Sequence, residues 1–246
     1  MGAQKKKNVI LVGYGKMGKL IAQTIDESQD MRVVGIVDID QRRNFEEIAD
    51  EADIVMDFSY PGNLSMSLAY AKTHGCALVL GTTGLSAEDV GAIEAASAFA
   101  PIVFSYNYSL GIAVLKRALS IMGPALLGEF DIEIVETHHR QKVDAPSGTA
   151  KLLRDAIDPE GKLRAVEGRS GIVGAREKEE IGMHAIRGGS VAGDHSVLFL
   201  GDQERLSFSH SASSRQIFAN GAIRAARFAA GAKNGLYGIE DVLFSS

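Results

Sequence analysis

The chain has 246 residues, 46% hydrophobic and 23% charged, with 27 glycines, 5 prolines and no tryptophan, a globular composition that excludes the disordered and fibrous classes. A formal net charge of -5 argues against a sequence-independent grip on nucleic-acid phosphates or an anionic membrane surface. A single cysteine, Cys76, can form no intramolecular disulfide and supplies no set of thiolates for zinc, so a reducing, cytoplasmic setting is expected.

The lysines at 5–7 precede the apolar run VILVG, which stops at a glycine turn and is too short for an export core. No stretch approaches the roughly 18 apolar residues of a membrane span. From there the N-terminal part alternates short apolar runs with longer amphipathic ones: NVILVG, KMGKLIAQTIDES, MRVVGIVD, FEEIADEA and DIVMDFS. A helix over 63–74, the run ALVLGTTG, a helix over 87–99 and the run PIVFSYN continue the pattern. This is the beat of βαβ units and predicts five parallel strands in a doubly wound sheet of the Rossmann kind.

After Asn107 the texture changes. A helix is expected over 112–126, followed by the alternating run FDIEIVETHH, where Ile132 and Ile134 face opposite to Glu133 and Val135. The runs IGMHAIR, HSVLFLG and ERLSFSHSA read as further strands of one open-faced sheet, with a glycine-rich, charged link over 160–180. The last helix, in RQIFANGAIRAARFAAGA, places Ile217, Phe218, Ile223 and Phe228 on one face and is expected to return to the first domain. The chain is therefore read as a dinucleotide-binding domain, 1–107 plus 216–246, and an α+β substrate-binding and oligomerisation domain, 108–215.

Gly13, Tyr14, Gly15, Lys16, Met17 and Gly18 follow a strand and open a helix. Such glycines permit a tight turn and close approach of a pyrophosphate to the positive end of the helix. Asp38, at the end of the second strand, can accept from the ribose hydroxyls. Asp38 would repel a ribose phosphate, and Ile39 offers no cation, whereas Arg42 and Arg43 lie close by; NADH and NADPH both remain open as cofactors. Gly81, Thr82 and Thr83, and Ser105, Tyr106, Asn107 and Tyr108, stand at two further strand ends, where an open parallel sheet receives its ligand.

The densest polar cluster runs from Glu136 to Thr149. His138 and Lys142 would project to one face if the strand continued, with His139 on the other. Imidazole exchanges a proton near neutral pH and an ammonium group can donate one, so His138 and Lys142 are the catalytic candidates. Adjacent histidines on a strand point apart, which disfavours a shared metal ion, and no metal is expected. Pro146 breaks the strand and Ser147 is positioned to cap the helix GTAKLLRDAI, whose start at Gly148 and Thr149 is a carboxylate cradle. Of the remaining histidines only His195, beside Gly188, Gly189 and Asp194, invites a functional reading.

The stretch ETHHRQKVDAPSGTA resembles the signature of the dihydrodipicolinate reductase family, and GYGKMG, DFS at 57–59, GTTG, IRGGSVAGDH and SSRQIFANGAIRAA stand in that family's order over nearly the whole chain. The resemblance implies hydride transfer from NADPH or NADH to a small cyclic dicarboxylate, with loss of water, in diaminopimelate and lysine synthesis. It assigns proton exchange to His138, proton donation to Lys142, substrate contact to His139, and binding of a substrate carboxylate to Gly148 and Thr149. It also implies cofactor contacts along the glycine loop, at Asp38 and at both strand-end loops, and a homotetramer built through the second domain's sheet; closure of the two domains, bringing the cofactor cleft against the segment from His138 to Thr149, is expected to exclude water. The chain departs from the family in a glycine loop one residue shorter than in many members, in Ile39 where arginine is frequent, and in Tyr108 where phenylalanine is common. An amino-acid dehydrogenase of similar build would share the first domain without needing the HHRQK and PSGT pairing. A non-catalytic dinucleotide sensor would bind cofactor and tolerate loss of Lys142.

Overall fold

The computed structural model describes residues 5–38, 45–48 and 51–245. In chain order the elements are β1 (Lys7–Val12), α1 (Lys16–Asp26), β2 (Met31–Val37), β3 (Ile54–Asp57), α2 (Leu64–His74), β4 (Ala77–Leu80), α3 (Ala87–Ala96) and β5 (Pro101–Phe104). They continue with α4 (Leu110–Leu126), β6 (Asp131–His138), α5 (Gly148–Ile157), β7 (Arg164–Glu167), β8 (Glu180–Arg187), β9 (Gly193–Leu200) and β10 (Arg205–Ala212). The last three are α6 (Gln216–Ala229), β11 (Gly235–Tyr237) and α7 (Ile239–Phe244). Two compact units result: 1–110 with 216–246, and 111–215. No helix among the described residues is long and apolar enough to cross a membrane.

The first unit is a parallel sheet in the order β11-β5-β4-β3-β1-β2. Its strands β3 and β4 are buried at every residue, as sheets covered on both faces require. Helix α1 buries Gly18, Ile21, Ala22 and Ile25, a stripe at helical spacing. Helix α3 starts at a capping box in which Ser86 accepts the Asp89 amide and Asp89 accepts the Ser86 amide. The sheet has six strands where five were expected, because the short β11 adds itself in parallel to β5. Within the amphipathic run FEEIADEA the described residues form a 3-10 turn, Phe45–Glu47.

Helix α6 does return to this unit, packing on α1 and β4. Its buried face is only partly the expected one: Ile223 is buried, and Ala219, Ala222, Ala225, Ala226 and Ala229 are fully so, whereas Ile217, Phe218 and Phe228 are only half-buried. Close approach is the reason, since a Cβ on Gly221 would stand 1.8 Å from the Tyr108 carbonyl oxygen, so small residues must line the contact.

The second unit is a mixed sheet in the order β10-β9-β6-β8-β7, with β6 antiparallel to β9 and parallel to β8. Its core joins Ile132 and Ile134 of β6, Ile181 and Met183 of β8 and Val197 and Phe199 of β9 with Leu115 and Leu119 of α4 and Leu153 and Ile157 of α5. The opposite sheet face carries half-buried Glu133, Thr137 and Ser196, the alternation expected of a sheet with one open face. The link expected over 160–180 contains β7, a strand too short to show a period.

Candidate active site

All strands of the first sheet run in parallel, so their carboxyl ends form one edge: Val12 pairs with Val37 and Asp57, Asp57 with Leu80, and Leu80 with Phe104. Gly13, Asp38, Ser59, Gly81 and Ser105 follow those ends. The glycine loop is built around backbone contact. Gly13 sits at φ +88, a conformation that favours glycine, and a Cβ on Gly18 would lie 2.1 Å from the Gly13 carbonyl oxygen. Gly15 has open space where its side chain would be, and α1 begins there with no side-chain cap and no acid in its first turn. An uncapped helix start beside bare backbone is the arrangement a pyrophosphate fits. Tyr14 and Met17 are half-buried in the loop and Lys16 is exposed. Asp38 is half-buried at the end of β2, and Ile39, Arg42 and Arg43 lie outside the described residues.

Behind the loop stands a buried acid that the residue-by-residue reading did not single out. Asp57, 0% exposed, accepts from the Ser59 hydroxyl at 2.6 Å, the Ser67 hydroxyl at 2.6 Å, the Thr82 hydroxyl at 3.0 Å and the Ser59 amide at 3.1 Å. It ties the ends of β3 and β4 together. Thr82 is buried with its hydroxyl committed to Asp57, while Thr83 is exposed. Tyr108 is also buried, donating to the Leu80 carbonyl at 2.7 Å with the Val103 carbonyl at 3.1 Å. Its side chain braces two strand ends from inside. Asn107 accepts the Ser109 amide at 2.8 Å, Ser105 donates to the Asn107 carbonyl, and Tyr106 stands out into solvent, 55% exposed, edge-on to Phe104.

In the second unit β6 runs with alternating burial through Glu136 and His138, which share the core face with Ile132 and Ile134. The strand ends at His138. A turn follows, with the Lys142 amide donating to the His139 carbonyl at 3.1 Å, so the extended geometry that would have put His138 and Lys142 on one strand face does not occur. Tight pairing with the glycine-rich 188–191 segment bends the chain away: the His139 amide donates to the Val191 carbonyl and the Arg140 amide to the Gly189 carbonyl.

Glu136 organises this corner. Its Oε2 accepts from His138 Nδ1 at 2.6 Å and from Arg187 Nη1 at 2.8 Å, while Oε1 accepts from Arg187 Nη2 at 2.8 Å and from the Ser147 amide at 3.0 Å. Burial pushes the Glu136 carboxyl up, and the bonds from Arg187, His138 and the Ser147 amide more than offset it, holding the carboxyl below its usual range. Ser147 caps α5 by accepting the Ala150 amide, so the helix opens on exposed Gly148 and half-buried Thr149. His195 lies edge-on to His138, ring centroids 5.2 Å apart, and burial, then the nearby His138, push its imidazole down to about 4. His139 is half-buried and receives Arg215 Nη2 at 3.2 Å. Lys142 pairs with Asp144 at 2.7 Å, and the Asp144 carbonyl accepts from Arg187 at 2.6 Å, which links the lysine to the Glu136 corner.

Sequence reasoning thus gave Glu136, Arg187 and Asp57 no role of their own. The signal for Glu136 was its parity: a charge on the core side of an alternating strand requires buried partners.

Two family models cover both units. One described as dihydrodipicolinate reductase, N-terminus, matches residues 7–108, and one described as dihydrodipicolinate reductase, C-terminus, matches residues 111–243. A 4-hydroxy-tetrahydrodipicolinate reductase of Clostridium novyi (strain NT) is 43% identical over 248 residues, covering 96% of this chain and 98% of the relative. The enzyme of the same name from Clostridium tetani (strain Massachusetts / E88) is 44% identical over 249 residues, covering 96% and 97%. Among solved structures, the dipicolinate-bound dihydrodipicolinate reductase from Paenisporosarcina sp. TG-14 superposes with a TM-score of 0.74 at 21% identity, covering 97% of this chain and 100% of that one. With both halves matched in order and relatives above two-fifths identity across nearly the full length, the chain belongs to the dihydrodipicolinate reductase family.

Proposed function

We propose that this chain catalyses the NADH- or NADPH-dependent reduction of 4-hydroxy-tetrahydrodipicolinate to tetrahydrodipicolinate, with release of water, in diaminopimelate and lysine biosynthesis. The observation that carries the reading is the folding of the 136–149 segment, which gathers His138 and the capped start of α5 around one buried carboxylate. A proton carrier and an anion cradle are what reduction of a cyclic dicarboxylate needs in one place.

The nicotinamide, when bound, supplies a hydride, and the balance of the reaction consumes one proton and releases one water. His138 exchanges a proton through its imidazole. Lys142, leaving Asp144, donates one through Nζ and offers a positive charge to a substrate carboxylate. Gly148 and Thr149 present the start of α5 to the second carboxylate, with His139 as a further contact. In the first unit Gly13, Tyr14, Gly15, Lys16, Met17 and Gly18 hold the pyrophosphate against α1, and Asp38 receives the ribose hydroxyls. Gly81, Thr83, Ser105, Tyr106 and Asn107 rim the nicotinamide end, with Thr82 and Tyr108 fixing that rim from behind. Exclusion of water around the reacting pair limits wasteful loss of hydride.

The same reading includes a cytoplasmic homotetramer that uses the open face of the second unit's sheet, where Glu133, Thr137, Ser196 and Ser209 stand partly in solvent. The test follows absorbance of NADH and of NADPH when purified protein meets the freshly made condensation product of pyruvate and aspartate semialdehyde. Oxidation that requires that product supports the reading. A folded protein that binds cofactor and oxidises none overturns it.

A further inference from the structure

We propose that Glu136 is a positioning residue that decides which nitrogen of His138 reacts, by holding the imidazole proton on Nδ1 and leaving Nε2 as the working atom. This rests on the reductase reading above. Glu136 is 1% exposed and each of its oxygens accepts two hydrogen bonds. An ionised carboxylate is an acceptor only, so the proton in the 2.6 Å contact with His138 belongs to Nδ1. Arg187 supplies two parallel N–H donors to the same carboxylate, which keeps it ionised while cancelling the cost of an unpaired buried charge.

On the other side of the ring, buried like the rest of His138, a glycine stands where a side chain would crowd Nε2. A Cβ on Gly193 would lie 3.0 Å from His138 Nε2, so the bare glycine backbone leaves that nitrogen room. The charged and titratable groups at the ring are Glu136 on β6, which binds Arg187 of β8, and His195 on β9; Lys142 and Asp144 join this corner through Arg187. Glu136 has a second role in the same geometry. Because its Oε1 also accepts the Ser147 amide, the carboxylate that orients the proton carrier also sets where α5 begins, and with it the place of the substrate's carboxylate. Orientation of a catalytic imidazole by an acceptor on its far nitrogen is a general device of acid-base catalysis.

The first arm of the test needs no variant and no substrate. In uniformly 15N-histidine-labelled wild-type protein, long-range proton–nitrogen spectra at a pH where the ring is neutral should show His138 protonated on Nδ1 and bare at Nε2, the signal being identified by its loss in His138→Asn. A proton on Nε2 overturns the proposal. The second arm is Glu136→Gln, in which the neutral amide turns a donor either toward His138 and Arg187 or toward Arg187 and the Ser147 amide. Its kcat should fall roughly 100-fold, with the KM for cofactor within about twofold of wild type. An unchanged kcat in folded Glu136→Gln overturns the proposal, and if that variant does not fold the spectra decide alone. Wild-type protein inactive on the dicarboxylate sinks the reductase reading instead, with the protonation state of His138 still read directly.

Discussion

The Ser147 hydroxyl and His195 Nε2 lie 3.1 Å apart, sharing a hydrogen bond, and the same hydroxyl oxygen accepts the Ala150 amide at 3.2 Å. One atom therefore caps α5 and fixes a buried histidine. His195 is 4% exposed, its Nδ1 has no hydrogen-bond partner, and it touches the edge of His138. A proton on this ring would be a buried charge beside another imidazole, so the folded protein resists taking it up.

That resistance has a pH signature. The unfolded chain takes up the proton near pH 6.5 and the folded one only near pH about 4, so stability is full above 6.5 and falls as pH drops toward 4. The loss from His195 alone reaches about 3 kcal/mol at the lower end. His210, also pushed down by burial, adds to it with the same sign. Glu133 and Glu136, held below their usual range, act lower, since their stabilisation is present above about 4.5 and lost beneath it. Denaturation midpoints between pH 7 and 5 should therefore fall in wild type and fall less in His195→Gln. Equal slopes would contradict the assignment.

Lys142→Ala removes a half-buried ammonium whose ion-pair partner, Asp144, is largely in solvent. Such a pair contributes at most about 1 kcal/mol to stability. The variant should keep its melting temperature within a few degrees and its cofactor affinity, measured by fluorescence titration, while kcat drops at least roughly 100-fold. Near-normal turnover would remove the lysine from the mechanism.

Tyr108→Phe separates a brace from a ligand. The hydroxyl donates to the Leu80 carbonyl from a fully buried site, so its loss should cost about 1 kcal/mol of stability. The KM for NADH and NADPH should not move. A cofactor KM raised several-fold without loss of stability would restore Tyr108 as a direct contact.

Gly18→Ala places a methyl group 2.1 Å from the Gly13 carbonyl oxygen, too close for any rotamer to relieve. The loop backbone must shift, at a cost of about 1–3 kcal/mol. Cofactor affinity should weaken at least roughly tenfold, because the pyrophosphate lies on that backbone. Calorimetric titration of the folded variant with NADPH and NADH measures it, and wild-type affinity would refute the loop's role.

Much of this was readable beforehand, for identifiable reasons. The β-strands of the first unit and the glycine loop follow from apolar periodicity and from glycines between a strand and a helix, both local properties. Ser147 was legible as a cap because serine is a favoured N-cap residue and it stands between Pro146 and the helical run GTAKLLRDAI. The short strands β7 and β11 were not, having four and three residues in which no period can develop. The face of α6 was partly misjudged because large apolar residues were weighted over alanines, and the deciding contact with Tyr108 is non-local. Strand ends marked Thr82 and Tyr108 as near the cofactor edge, yet nothing in their spacing tells whether a side chain turns out to a ligand or in toward Asp57 or Leu80. Lys142 was placed on the His138 face by extending β6, and the turn that ends the strand is set by pairing with residues about fifty positions away.

The central claim is tested most directly by following the hydride itself. Purified protein is supplied with NADH or NADPH dideuterated at C4 of the nicotinamide and with the fresh condensation product of pyruvate and aspartate semialdehyde, and the reduced product is weighed by mass spectrometry. The account predicts tetrahydrodipicolinate carrying one deuterium per molecule, formed in step with oxidised cofactor and absent in Lys142→Ala on the same timescale. Product without deuterium, or cofactor oxidised with the dicarboxylate unchanged, would contradict it.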